Sequence, residues 1–413
     1  MKSSASRRPL ARAVRLRGSA LAVVGLMAGS LVFAATARAE EPHYAAELVF
    51  PLNPQHNHAP GVAELPDGEL VVSWYRGSGE RSADDVAVWG SRRKPDATEW
   101  TPAEVWVDTP LFPDCNTCLH VDDAGRLWLF WPVIIANTWE SALTHYRVAD
   151  QPAGSGVPEW TSSGIVLLKP DDFSEEMLRE LEAFLREAGP LPERSVREIE
   201  DAKVKASDKL FQRLGWQPRC KPTVLPSGRM LLPLYSDTFS ASIMAISDDG
   251  GRSWFASRLL IGLGNIQPIV LRRNDGTLVA YMRENGPRQR IRYAESTDDG
   301  LTWGPVQSSE LLNPGAGVDG VRLASGHWLL VYNDTERGRN RLAASLSKDE
   351  GRTWTATRHL EDEPAGSFHY PAVIQGRDGT IHCVYSYFVE GGKSMKHAAF
   401  NEAWIEAGNA EAK

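Results

Sequence analysis

The sequence predicts an all-β fold, a six-bladed β-propeller interrupted by one helical hairpin, on three observations. Six short segments set a glycine turn between two apolar runs: LPDGEL at Gly68, DDAGRLWL at Gly125, LPSGRMLL at Gly228, RNDGTLVA at Gly276, LASGHWLL at Gly326 and GRDGTIHC at Gly379. A tight turn between strand-like runs marks a β-hairpin. Tryptophans keep the same beat: Trp254, Trp303, Trp354 and Trp404 lie 49, 51 and 50 residues apart, with Trp100 and Trp160 as degenerate members. Finally, Ser-x-Asp-x-Gly-x-Ser/Thr-Trp is written three times, from Ser247, Ser296 and Ser347. A period near 50 residues matches a four-stranded blade.

The elements follow in order. Residues 1–39 read as an export signal: Arg7, Arg8, Arg12, Arg15 and Arg17 precede an apolar run from Ala20 to Ala35, and Ala37-Arg38-Ala39 offers a cleavage site before Glu40. The signal is of the general secretory kind or, given SRRPLAR, of the twin-arginine kind, so the expected location is secreted or periplasmic. Residues 40–413 form the propeller. The hairpin glycines are 57, 103, 48, 50 and 53 residues apart, and the long step is filled by a helical insertion over residues 171–214. Its first helix opens with a capping-box spacing, Asp172-x-x-Glu175, and puts Met177, Leu181, Phe184 and Leu185 on one face. Its second runs from Ser195 to Leu214 and stops at Gly215. The hairpin either rims the active face or packs on the side.

The repeated Asp-Gly box suits a tight turn in which side-chain oxygens hold nearby backbone N–H groups, with the tryptophan lying over the gap to the next hairpin. Copies spread around a ring cannot all meet one substrate, so the boxes are structural. The four cysteines, Cys115, Cys118, Cys220 and Cys383, are too few for a disulfide framework and read as buried thiols with at most one bridge. Cys115-x-x-Cys118 lacks the partners of a zinc site. The net charge of −8 argues against a nucleic-acid partner. After signal cleavage no segment is long and apolar enough to span a membrane. No metal or organic cofactor is expected.

In a propeller the inner strand of each blade runs along the axis, so equivalent strand starts meet at one mouth. Counting back from each hairpin glycine brings together His58, Asn116 or Thr117, Arg219 with Lys221, Gln267, Asp319, and His369 with Tyr370. A proline follows closely in four cases: Pro60, Pro222, Pro268 and Pro371. A ring of His, Lys, Gln, Asp and Tyr reads as a polar binding floor.

With these boxes and this order of motifs, the chain resembles the sialidase (neuraminidase) superfamily over roughly Asn53 to Trp404. The resemblance implies a tyrosine nucleophile, an activating glutamate, an acid aspartate and three carboxylate-binding arginines. On that pattern Tyr370 in HYPAVIQ is the tyrosine, Arg283 the second arginine, and Arg339 the third, with Arg341 as a fallback. Asp84 or Asp85 in GERSADDVAVWGSR is the acid. Two positions depart: His58 replaces the first arginine and Gln267 replaces the glutamate. A neutral imidazole cannot match a permanent guanidinium, and an amide cannot accept the tyrosine's proton. Arg219 and Lys221 are further cations for substrate, Asp237 and Asp319 further carboxylates, and Asn333 and Asp334 lie in a loop that could line the mouth.

The expected function is a glycoside hydrolase removing a terminal acidic sugar, sialic acid or a uronate, from an oligosaccharide or polysaccharide. The alternatives are a polysaccharide lyase, in which a Tyr/His pair takes a proton beside a uronate carboxylate, and a carbohydrate-binding propeller without turnover.

Overall fold

The computed structural model describes residues 41–408, apart from 188, 189 and 191. Residues 1–39, where the export signal is expected, lie outside them. Six antiparallel sheets follow one another along the chain, each meandering outward from an inner strand. The inner strands are His56–Glu64, Cys118–Val121, the paired fragments Gln217–Pro218 and Thr223–Val224, Asn265–Arg272, Asp319–Arg322 and Ser367–Gln375, which define blades 1 to 6. The hairpin glycines 68, 125, 228, 276, 326 and 379 all have φ between 78° and 96°. Each donates its N–H to the carbonyl three residues earlier. Glycine reaches that conformation without a side-chain penalty, which is why it recurs there.

Blade 6 takes its outermost strand from the other end of the described chain. Tyr44–Leu48 pairs antiparallel with Gly392–Phe400, Tyr44 opposite Phe400 and Leu48 opposite Lys396. This closing strand has no counterpart in the repeat reading, because it carries neither a hairpin glycine nor a box.

The core is divided among the junctions. Six hydrophobic clusters each draw mainly on two neighbouring blades. The six periodic tryptophans fall one to a junction. Trp100 packs between blades 6 and 1, Trp160 between 1 and 2, and Trp254 between 2 and 3. Trp303, Trp354 and Trp404 serve the next three junctions in turn. Every one therefore lies against the preceding blade, not the following one as expected, and Trp404 does so from a short helix, Glu402–Glu406.

The boxes are clips. In each, the leading serine Oγ accepts the glycine N–H (Gly251, Gly300, Gly351) at 2.8–3.1 Å. The aspartate accepts both the backbone N–H and the hydroxyl of the Ser/Thr four residues on. The glycine also permits close approach: a Cβ on Gly251 would lie 2.4 Å from the Trp128 ring of the preceding blade.

The insertion forms three helices: α1 (Phe173–Glu187), α2 (Glu193–Ala206) and α3 (Lys209–Arg213). Phe173, Met177 and Leu181 of α1 are buried in the junction of blades 2 and 3, so the insertion sits on the flank of the wheel. The expected capping box does not form: Asp172 has φ 53° and its carboxylate pairs with Arg258 at 2.7 Å. The expected long second helix breaks at Ser207, where Asp208 accepts the Leu210 N–H at 2.8 Å and starts α3, as a good N-cap residue does. All four cysteines are buried and unbridged. Among the described residues no helix is long and apolar enough to cross a membrane.

Candidate active site

Three inner strands share a distortion that builds the site. Their ladders slip between His58 and Gly61, between Ile266 and Ile269, and between His369 and Ala372. Within each slip one residue adopts positive φ: Ala59 at 49°, Gln267 at 56° and Tyr370 at 56°, each followed by proline. A bulge leaves its residue out of the ladder and re-aims the side chain. A non-glycine residue in this region costs on the order of 1–3 kcal/mol, strain of the kind that collects at functional sites.

The bulges of blades 4 and 6 bring Gln267 and Tyr370 together. Gln267 Nε2 donates to the Tyr370 hydroxyl at 3.2 Å and to the Tyr235 hydroxyl at 3.2 Å. Arg283, paired across the blade with Ile266, donates from Nη1 to the Tyr370 hydroxyl at 2.8 Å. Arg339, in the loop after Trp328–Asn333, holds its guanidinium 5.7 Å from the Tyr370 ring centroid and donates to the Gly315 carbonyl at 2.9 Å. His58 and His369 complete the group, their rings 4.3 and 5.8 Å from that of Tyr370. Burial, followed by the charges of neighbouring groups, pushes both imidazoles well below the usual histidine range, so both are neutral at pH 7. His58 Nδ1 is tied to Ser386 Oγ at 2.9 Å, while the buried Nδ1 of His369 has no hydrogen-bond partner.

A polar chain continues into blades 2 and 3. Asn116 Nδ2 donates to Gln217 Oε1 at 2.9 Å and to the Tyr235 hydroxyl at 3.0 Å. Gln217 in turn donates to Asp237 Oδ2 at 3.0 Å. Burial raises the Asp237 carboxyl above its ordinary range, against the opposing pull of Arg283. Sequence reasoning missed Gln217 and Tyr235, although Gln217-Pro218 repeats the residue-proline signature of the bulges.

Five expected residues lie otherwise. Asp85 accepts the Ser78 N–H and hydroxyl, and Asp84 accepts from Asn137 Nδ2 at 2.7 Å; both carboxylates are exposed loop ties. The same loop instead turns Glu80 inward, where Oε1 accepts from the Tyr75 hydroxyl at 2.9 Å and meets His56 Nε2 at 3.1 Å. Burial alone would raise the Glu80 carboxyl, but the bonds from His56 and Tyr75 and the charge of Arg81 outweigh it and hold it low. Arg219 is buried beneath the Tyr370 ring, 5.1 Å from its centroid, donating to the Pro371 carbonyl at 2.7 Å. Lys221 bonds both oxygens of Asp319 at 3.1 Å, and Asp319 also accepts the Val373 N–H at 2.8 Å. All three tie the inner strands together below the floor: Lys221 and Asp319 pair with each other, as buried charges do, while Arg219 is held by the carbonyls of Pro60 and Pro371. Lys221 lines a hollow of about 560 Å³ toward the hairpin-turn end, which contains none of the converging residues.

Comparison with known proteins agrees with this architecture. A family model described as a BNR repeat-like domain matches residues 205–383. The sialidase of Micromonospora viridifaciens is 27% identical over 174 residues, which is 40% of this chain and 26% of that protein. The chain is a six-bladed propeller similar, over part of its length, to BNR-repeat proteins and to a sialidase. The aligned part thus spans about a quarter of that curated sialidase. Among solved structures, a protein of unknown function from Dyadobacter fermentans superposes with a TM-score of 0.66 at 17% identity, covering 86% of this chain and 97% of that one. The intramolecular trans-sialidase of Ruminococcus gnavus, solved with oseltamivir carboxylate, gives 0.63 at 11% identity, with coverages of 85% and 95%. The residues that the sialidase resemblance assigns as the tyrosine and two arginines, Tyr370, Arg283 and Arg339, meet in this site, with His58 and Gln267 beside them.

Proposed function

We propose that the chain is a glycosidase that removes a terminal carboxylate-bearing sugar, sialic acid or a uronate, from a glycan. One observation carries the reading: the Tyr370 hydroxyl stands between Arg283 and Gln267 on the floor, with the Arg339 guanidinium close by. Two guanidiniums give a carboxylate the charge-assisted hydrogen bonds that would orient the sugar. Tyr370 attacks the anomeric carbon, and a neutral imidazole, His58 or His369, accepts its proton in place of the missing glutamate. Asp237, whose burial favours the protonated form, donates a proton to the leaving oxygen, while Glu80 stays ionised. Environments that push two carboxyls apart in this way commonly divide acid from anion. An exported location, as residues 1–39 suggest, belongs to the same proposal and is checked by cell fractionation.

The test is incubation of the full chain with sialylated and uronate-bearing glycans, products read by mass spectrometry, with Tyr370→Phe and Arg283→Ala alongside. Release of one acidic sugar, lost in both variants, supports the reading; unimpaired variants overturn it. The pair of neutral imidazoles beside Tyr370 favours a second reading, a uronate lyase. Its product is an unsaturated sugar that absorbs in the ultraviolet, whereas a hydrolase makes none.

A further inference from the structure

His56, His58 and Glu80 each offer one ligand atom, and these atoms lie within 4.8 Å of one another. We infer that this trio is a binding site for a zinc-class divalent cation on the wall of the candidate active site. Two histidines and a carboxylate are a recurrent donor set for such ions, leaving a position open for substrate. His56 and His58 alternate on one inner strand, so both side chains fall on the same face, and Glu80 comes from the loop after Leu70–Gly77 of the same blade. Seating all three at ~2.1 Å from one ion requires the ligand atoms to draw in by roughly 1.5 Å at most, within reach of side-chain rotation.

The surroundings are those of a held ligand set. His58 Nδ1 is engaged by Ser386 Oγ, which also accepts the Ala59 N–H, leaving Nε2 for a metal. Engagement of the second ring nitrogen is the usual means of orienting a metal-binding imidazole. The Tyr75 hydroxyl donates to Glu80 Oε1, and Arg81 approaches Oε2 at 3.6 Å. The His56 and Glu80 side chains are 19% and 33% exposed, so an ion can enter from solvent.

The role of the ion rests on the glycosidase reading. Position 58 is where the superfamily resemblance puts an arginine, and an uncharged imidazole supplies no positive charge there. A divalent ion bound by two neutral histidines and one carboxylate carries net charge +1 into the same corner. Its open position would take a carboxylate oxygen of the sugar, alongside Arg283 and Arg339, and with both His58 nitrogens engaged the proton of Tyr370 falls to His369.

The full chain, stripped with a chelator and dialysed, is titrated with Zn²⁺ by calorimetry and with Co²⁺ by visible absorption. One ion per chain is expected, with Co²⁺ ligand-field bands; His56→Gln and Glu80→Gln should each weaken binding roughly tenfold or more. Absence of saturable one-to-one binding, or an affinity in both variants equal to that of the unsubstituted chain, overturns the site. The Co²⁺ spectrum of the unsubstituted chain decides the matter even if a variant fails to fold. The two proposals fail separately. Metal binding without turnover of any acidic glycan removes the glycosidase and keeps the site. Turnover unaffected by the chelator in a chain that binds no ion removes the site and keeps the glycosidase.

Discussion

Arg283 Nη1 and the Tyr370 hydroxyl are 2.8 Å apart, although 87 residues separate them in the chain. The contact joins the second strand of blade 4 to the inner strand of blade 6 across the axis. It depends on the left-handed bulge at Tyr370: with ordinary pleating, a one-residue change of register would put the ring on the other face of the strand. Gln267, on the matching bulge, approaches the same oxygen.

Replacing Tyr370 by Phe removes the acceptor of both donors and leaves the ring in place. Turnover should fall by roughly 10³-fold or more, with substrate still bound. Steady-state kinetics and calorimetry with a non-hydrolysed acidic sugar check this. A variant retaining even a tenth of the parent's kcat would show that the hydroxyl does no chemistry.

Replacing Gln267 by Glu exchanges a donor for a proton acceptor at the Tyr370 hydroxyl. On an acidic glycoside kcat should rise about tenfold or more, since a positioned general base contributes on the order of 10²–10⁴-fold. The new carboxylate should add an acid limb to the pH profile of kcat. A fall in kcat with unchanged substrate affinity would instead point to the amide as the working group.

Stability should decline on acidification below about pH 6.5. His382 is buried against His397, and burial, then the His397 charge, pulls it from 6.5 down to about 3. His120 is likewise lowered by burial, to about 4. A folded-state value below the unfolded one means that the unfolded chain binds more protons between the two. Stability is therefore fully present above pH 6.5 and drains away as pH falls toward 3. His382 alone should contribute a loss on the order of 2–4 kcal/mol across that window. Denaturant titrations at stepped pH should show a shallower decline in His382→Gln.

Deleting the chain through Leu48 removes the closing strand of blade 6. The loss includes five register pairs, the Tyr44–Trp404 stack at 4.6 Å, and Glu47 with its contacts to Trp100, Arg93 and His397. A melting temperature lower by about 10 °C is expected by calorimetry, together with self-association through the bared edge of Gly392–Phe400. An unchanged melting temperature would mean that the three remaining strands of blade 6 and the junction packing suffice without it.

Blade number, junction tryptophans and clips were legible because each is written as a local repeat. The convergence of Tyr370, Gln267, His58 and His369 followed from that repeat and closure of the ring, whereas Arg283 and Arg339 were legible only through the sialidase resemblance. Depth along the axis was not legible. Counting from strand starts treats Arg219, Lys221 and Asp319 as equal to Tyr370, but pleat and bulge turn the former below the floor. Glu80 was hidden in a loop with three carboxylates, where backbone turns, not spacing, decide which one faces inward. The break at Ser207 followed tertiary packing of α2 and α3 that helical periodicity does not record. The strand Tyr44–Leu48 carries no motif, and its partner lies at the far end of the sequence.

The His43 to Asn401 hydrogen bond spans 358 positions. During synthesis His43 and the strand that follows it therefore wait unpaired until nearly everything else has emerged. Blades 1 to 5 can assemble in turn, but the ring locks in a single late event governed by a very long-range pairing. Such pairings are slow and leave an open edge in the meantime. A chain carried across a membrane unfolded would have to make that closure on the far side, and one carried across already folded would have finished it beforehand.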